Sequence, residues 1–227
     1  MSLVTFKDLC IDVNDTVTES SFWAGVLGLD VQEADGSTEL VLRGSEPQQT
    51  LWPCVVPEAK TVKNRVHLDV WAPSLDDVPG TRLTEPGELP WTVFADPEGN
   101  EFCVFVRADV GRYRLKDLEV DSVDHAAIAA WWARVLGGTV HDDDGEYSYV
   151  SDVPGAPFED IDFVTVPEPK TVKNRVHWDV TLRPGVAVAD LVQAGATVLR
   201  ERDDEIRWTV MADPEGNEFC VFDAPAD

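Results

Sequence analysis

The sequence is poor in positive charge. Lys and Arg number 18 against 43 Asp and Glu in 227 residues, a formal net charge of −25. That balance argues strongly against a nucleic-acid partner, whose phosphates need a basic surface, and equally against binding to an anionic membrane. No apolar run approaches transmembrane length, and no charged-then-apolar leader precedes the first strand. Only four cysteines occur, without the close pairing of a disulfide framework. A Gly-rich phosphate loop and a Gly-x-Ser-x-Gly elbow are both missing. The expectation is a soluble, reduced, cytoplasmic protein; with 44% hydrophobic residues it has enough to bury two cores of ordinary size.

What is present is a repeat. KTVKNRVH occurs at 60–67 and again at 170–177. WTVFADPEGNEFCVF at 91–105 returns as WTVMADPEGNEFCVF at 208–222, with fourteen of fifteen positions identical. The offsets are 110 and 117 residues, so only the connector changed length. Lys7-Asp8-Leu9 with Lys116-Asp117-Leu118, and Trp23-Ala24 with Trp132-Ala133, keep the same register. A tandem duplication of about 110 residues follows, with domains expected at 1–109 and 110–227.

Each half reads as β-α-β-β-β and then a second unit of the same plan. Residues 4–13 alternate, with Leu9, Ile11 and Val13 on one face and Asp8, Cys10 and Asp12 on the other. Thr16 to Glu19 has the form of a capping box, and Phe22, Trp23, Val26 and Leu27 recur at helical spacing before Gly28. A strand over 62–71 puts Val66, Leu68 and Val70 on one face and Lys63, Arg65, His67, Asp69 and Trp71 on the other. An eroded helix or turn is expected at 74–79. Asp96 to Asn100 is a tight hairpin turn between strands near 90–95 and 101–106. The second half predicts a helix over 123–136 with Ile128, Trp131, Trp132, Val135 and Leu136 buried, a strand near 159–166, and a better helix at 186–194.

The polar faces carry the candidate chemistry. His67 with Asp69, and His177 with Asp179, stand at i and i+2 on one strand face; the histidine can bind a ligand or a metal while the aspartate fixes its tautomer. The plainer reading is a polar cross-strand pair. Lys60, Lys63 and Arg65, repeated as Lys170, Lys173 and Arg175, hold four of the six lysines. They would bind a carboxylate or phosphate or else form ion pairs with their many acidic neighbours. Trp71, Trp91, Trp178 and Trp208 would stack on a planar ligand or lie in the core. His125 and His141 read as surface residues. The ligand-binding candidates are therefore Lys63, Arg65, His67, Asp69, Trp71, Lys173, Arg175, His177 and Asp179, and no residue is assigned a catalytic role.

The βαβββ units, the helix ending Trp-x-x-Val-Leu-Gly, the strand with Val-His-x-Asp-Val and the Asp-Pro-Glu-Gly-Asn hairpin together resemble the vicinal oxygen chelate superfamily, which includes glyoxalase I, bleomycin-resistance proteins and extradiol dioxygenases. The glyoxalase-like branch is the nearest in look, and the resemblance spans the chain twice. It implies an α+β fold: a tandem repeat of glyoxalase-like domains, each of two βαβββ modules with curved mixed sheets around a cleft. It places metal ligands on the first and last strands of the modules. His67 and His177 match; the other positions fall on Asp8 and Asp117, on Cys103 and Cys220 where glutamate is usual, and on Asp162, whose first-half partner is Trp52. The resemblance thus implies one divalent ion, zinc or another, held in the second domain by Asp117, Asp162, His177 and Cys220, with Asp8, His67 and Cys103 as the weaker set. Mixed Asp, His and Cys donors suit zinc better than magnesium; Cys103 and Cys220 also read as small residues filling a sheet layer. The implied function is binding of a small organic molecule in the cleft, or else a metal-dependent lyase, isomerase or dioxygenase. The fused repeats imply a monomer acting as a pseudo-dimer, or a homodimer.

Overall fold

The computed structural model describes residues 2–143 and 145–225. Four modules follow one another. The first runs β1 (Val4–Val13), α1 (Thr16–Leu27), β2 (Asp30–Glu33), β3 (Leu40–Arg43) and β4 (Thr50–Val55). The second has β5 (Val66–Ala72), a single 3₁₀ turn at Leu75–Asp77 in place of the helix, then β6 (Thr81–Arg82), β7 (Thr92–Ala95) and β8 (Glu101–Val106). The third has β9 (Leu115–Ser122), α2 (His125–Leu136), β10 (Thr139–Asp143), β11 (Tyr147–Ser151) and β12 (Asp160–Thr165). The fourth has β13 (Val176–Leu182), α3 (Val188–Ala194), β14 (Thr197–Arg200), β15 (Thr209–Ala212) and β16 (Glu218–Phe222).

The modules pair across the repeats. The first sheet has the order β14-β15-β16-β13-β1-β4-β3-β2, and the second β10-β11-β12-β9-β5-β8-β7-β6. Each eight-stranded mixed sheet therefore joins one module of the first repeat to one of the second. At the two centres, β1 lies antiparallel to β13 and β5 antiparallel to β9. In register, Cys10 faces His177 and Asp8 faces Asp179; on the other sheet Glu119 faces His67 and Asp117 faces Asp69.

Local chemistry sets the element ends. Asp15, not Thr16, caps α1, accepting from the backbone of Val17 and Thr18; a carboxylate there also favours the positive helix start. Gly28 ends the helix at φ 72°, where a Cβ would meet the Arg112 carbonyl oxygen at 1.7 Å, so only glycine fits. The β5 strand begins at Val66 rather than near 62. The Asn64 backbone N–H donates to Glu101, and the Arg65 carbonyl accepts from Asp121, so this stretch spends its hydrogen bonds outside a ladder.

The two repeated blocks fit one another, which gives a physical reason for their identity. Asp96 accepts from the backbone of Glu98 and Asn100, from the Asn100 amide and from the Trp23 indole; Asp213 does the same for Glu215, Asn217 and Trp132. Glu98 accepts from the backbone of Asn14 and Asp15, and Glu215 from that of Val123 and Asp124. Asn64 donates to Asn100 and Asn174 to Asn217, while Lys60 pairs with Glu101 and Lys170 with Glu218. The remaining cations reach across the repeats: Lys63 to Asp121 at 2.7 Å, Lys173 to Asp12, and Arg175 to Glu98 at 2.9 Å. Between the two copies lies a cavity of about 540 Å³.

The apolar faces of both sheets and the helices form one core. Trp23 meets Phe102 edge-on at 5.2 Å, and Trp132 meets Trp178 at 4.7 Å and Phe219 at 5.1 Å. Such pairs add about 0.5–1.5 kcal/mol each beyond their buried area. This core orients the opposite, polar faces outward.

Candidate functional sites on the two polar faces

On the second sheet, strand alternation turns His67, Asp69 and Trp71 of β5 to the polar face, since Val66, Leu68 and Val70 are in the core. His67 Nε2 is 2.9 Å from Glu119 Oε1, and Nδ1 is 3.1 Å from Asp69 Oδ1. Burial alone would lower the histidine pKa, but the contacts with Asp69, Cys103 and Glu119 outweigh it and hold it well above 6.5. Burial likewise pushes Glu119 up, yet the bond from His67 leaves it below its ordinary value. His67 is thus an imidazolium clamped between two carboxylates.

Beside that clamp, Asp69, Asp117 and Asp162 bring carboxylate oxygens within 4.8 Å of one another, one each from β5, β9 and β12. Asp117 contacts Lys116 and accepts from the Asp160 backbone at 3.0 Å. Burial raises the Asp162 pKa to about 7, with Lys116 opposing and Asp69 assisting. Aromatic rings stand on both sides. Trp71 and Trp91 pack on Phe105 at 5.9 and 5.8 Å, with Arg107 over the Trp71 ring. Opposite them, His141 stacks on Tyr149 at 4.5 Å and Tyr147 lies alongside.

The first sheet carries a different set. His177 Nε2 is 3.6 Å from Cys220 Sγ and 3.7 Å from Asp179 Oδ1, and Cys10 Sγ is 3.7 Å from both Asp179 oxygens. Where Glu119 faces His67, the smaller Cys10 faces His177. With no carboxylate directly opposite it, His177 is pushed down to about 3 by burial, aided by Lys173, and is neutral. Burial and the neighbouring Asp8 hold Asp179 well above its ordinary value. Asp8 is engaged elsewhere, with Lys7 at 2.6 Å and the Trp52 indole at 3.0 Å.

The structure divides the residues singled out from the sequence. Asp117 and Asp162 meet on the second sheet, with His67 and Cys103; His177 and Cys220 lie on the first, with Asp8. The four do not surround a common point, because each module finds its partner in the other repeat. Lys63, Arg65, Lys173 and Arg175 lie before β5 and β13, in the contacts between repeats; Arg65 donates to the carbonyls of Glu168 and Asp121. Trp178 is in the core, not on a polar face. Glu119 and Cys54 escaped the sequence reading. Glu119 could have been found as the next outward residue after Asp117 on an alternating strand, but only the strand pairing shows that it faces His67.

Among the described residues, no helix is long and apolar enough to cross a membrane. A search of curated proteins returns no match. Solved structures do match in fold. Glyoxalase I from Zea mays is 13% identical, covering 97% of this chain and 92% of that one at a TM-score of 0.65. A proposed dioxygenase from Bacillus subtilis subsp. subtilis str. 168 is 16% identical, covering 99% and 86% at 0.62. The model of the glyoxalase-like domain matches residues 8–105 and again 117–222. With its duplicated modules, its paired curved sheets and a family match over both repeats, the chain belongs to the glyoxalase-like domain family and carries two copies of that domain.

Proposed function

We propose that the protein binds a small organic molecule on the polar face of the second sheet. The observation that carries this reading is the convergence of Asp69, Asp117 and Asp162 from three strands, flanked by the Trp71–Phe105–Trp91 and Tyr147–Tyr149–His141 rings. A planar or partly apolar ligand would lie between the aromatic groups. A protonated Asp162 would donate a hydrogen bond to a carbonyl or hydroxyl oxygen, and the His67 imidazolium would supply positive charge beside it. The two fused repeats supply both modules of each sheet, so the working unit is the single chain, placed in the cytoplasm with all four thiols reduced.

A second reading is a metal-assisted lyase, isomerase or dioxygenase, favoured by the same carboxylates. Their hard oxygen donors fit a divalent cation, and oxygens from all three carboxylates lie within 4.8 Å of one another. Asp69, Asp117 and Asp162 would hold the ion, which would act as a Lewis acid on a substrate oxygen. His67 and Glu119 would orient the substrate, and the aromatic groups would exclude water.

The test is metal content by plasma mass spectrometry after refilling with zinc, nickel, manganese or iron, together with thermal-shift screening of small aromatic and anionic compounds. Binding of a compound that shifts Tm in the parent but not in Asp162→Ala supports the first reading. An ion lost with Asp162→Ala and kept in His177→Ala supports the second. A ligand whose shift survives Asp162→Ala together with Trp71→Ala would refute the placement on this face.

A further inference from the structure

The cavity between the repeats shares no residue with the carboxylate and aromatic cluster of the second sheet. It is bounded by the two copies of KTVKNRVH, by the ends of β1 and β9, and by the turns that follow β4 and β12. Its volume of about 540 Å³ suits a small organic molecule, for which ~300–1,000 Å³ is usual. The contacts that lock each block in place run through Lys60, Asn64 and Arg65 and their repeats. Thr61 and Val62 take no part in them. Yet both recur as Thr171 and Val172, and all four are exposed. Packing does not account for letters kept at exposed positions while most of the two halves diverged. A ligand touched by both copies does.

The lining is apolar in the middle and positive at the sides. Val62 and Val172, 50% and 44% exposed, and the deeper Val56 and Val166 form equivalent pairs from the two repeats. Lys63 donates to both Asp121 oxygens, at 3.0 and 2.7 Å, and Lys173 contacts Asp12. The lysine side chains are 58% and 54% exposed but their aspartates only 9% and 5%. Each pair is therefore a dipole with its positive end outward, and an ammonium that bonds one carboxylate still has an N–H group to give. Arg65 adds a cation whose hydrogen bonds go to the backbone carbonyls of Glu168 and Asp121, with no carboxylate paired to it among the described residues. Glu58 and Glu168 also border the cavity and limit the negative charge it accepts.

We propose that this cavity binds a small diacid, with an apolar or aromatic spacer between Val62 and Val172 and one carboxylate at each lysine. The paired lysines and valines match a molecule with the same acid at both ends, and they set one ligand per chain. Arg65 makes the Lys63 end the stronger of the two. A second copy of this chain fits less well, because the patch would meet itself and set lysine against lysine.

The experiment uses the full chain at ~0.15 M salt, where its long-range negative charge is screened beyond about 8 Å. Adipate and terephthalate are titrated by calorimetry, with hexamethylenediamine as the control of opposite charge. At least one diacid should bind saturably at one per chain, and the diamine should not. Lys63→Gln and Lys173→Gln should each weaken binding about fivefold, while Lys63→Arg and Lys173→Arg keep it. Amide resonances of Thr61, Val62, Thr171 and Val172 should shift together on binding. Asp162→Ala and Trp71→Ala should leave the binding intact, so a failed ligand reading on the second sheet would not change these outcomes. A compound whose binding depends on these lysines belongs to this cavity and carries no weight for the other face. Absence of saturable binding of both diacids up to about 10 mM overturns the proposal. So does binding that survives the Lys63→Gln, Lys173→Gln double variant, or equal binding of the diamine. Should a glutamine variant fail to fold, the amide shifts of the parent decide: shifts centred on both copies support the site, and shifts elsewhere reject it.

Discussion

Replacing Glu19 by isoleucine should stabilise the protein, and more strongly as pH rises. Glu19 sits on α1 with 0% exposure, and neither carboxylate oxygen has a hydrogen-bond partner. Burial, then the negative charge of Asp96, pushes its pKa from an ordinary 4.5 to about 8. The N-caps Asp15 and Asp124 and the tryptophans Trp23 and Trp132 share one offset, so the second repeat has Ile128 at this position, also buried. The folded state holds the Glu19 proton where the unfolded chain has released it. Stability is therefore full below about 4.5 and falls until the pH passes about 8. At 1.36 kcal/mol per tenfold change in affinity, the full interval corresponds to at most ~5 kcal/mol; local relaxation would leave roughly half. Urea unfolding of the parent, Glu19→Gln and Glu19→Ile at pH 5.5, 7 and 8.5 measures it. The gain of Glu19→Ile over the parent should grow by about 2–3 kcal/mol across that range. Other titrating groups cancel in the difference. A gain that stays constant with pH, or a loss at pH 8.5, would refute the reasoning.

Three further perturbations address other contacts. His67→Ala leaves Asp69 and Glu119 without their shared cation, so unfolding free energy at pH 7 should drop by about 3–5 kcal/mol. Because the His67 pKa is raised, its contribution is complete below 6.5 and should vanish only as pH climbs through the elevated value, which urea titration at alkaline pH would detect. Lys63→Ala, whose side chain is 58% exposed, should cost under about 1 kcal/mol. Arg175→Ala, at 9%, removes a buried cation that bonds Glu98 and the Glu58 carbonyl and should cost about 3 kcal/mol by the same assay. Trp23→Phe keeps most of the apolar volume but strips Asp96 of its indole donor, and should lower stability by about 1–3 kcal/mol.

Much of the architecture was legible because it rests on local period and repetition. The duplication shows when the sequence is laid against itself, and the alternation of β1, β5 and β13, the missing helix near 75 and the hairpins at Asp96 and Asp213 are short-range signals. The sequence leaves the Lys63 and Lys173 clusters ambiguous, and the location of Asp121 and Asp12, each in the other repeat, resolves them. The same gap divided the metal-ligand set. Asp117 and His177 belong to adjacent modules in sequence, but β9 pairs with β5 and β13 with β1. Pairing between strands this far apart is fixed by how the modules pack, and no period in the chain encodes it. Cys10 was visible as an outward residue, yet its chemistry depends on the imidazole across the ladder.

The exchange of modules also bears on how the chain acquires its structure. The second sheet is built from one continuous span, residues 66–165 carrying β5 to β12, whereas the first is split between the two ends of the polypeptide. During synthesis the inner span can close as soon as β12 emerges, while β1 must wait for β13, more than 160 residues downstream, to arrive as its neighbour. Closing the longer loop is the slower step. The outer sheet should consequently be the late and more easily opened one, with β1 and its four module companions exchanging their amide protons ahead of β5 and β9.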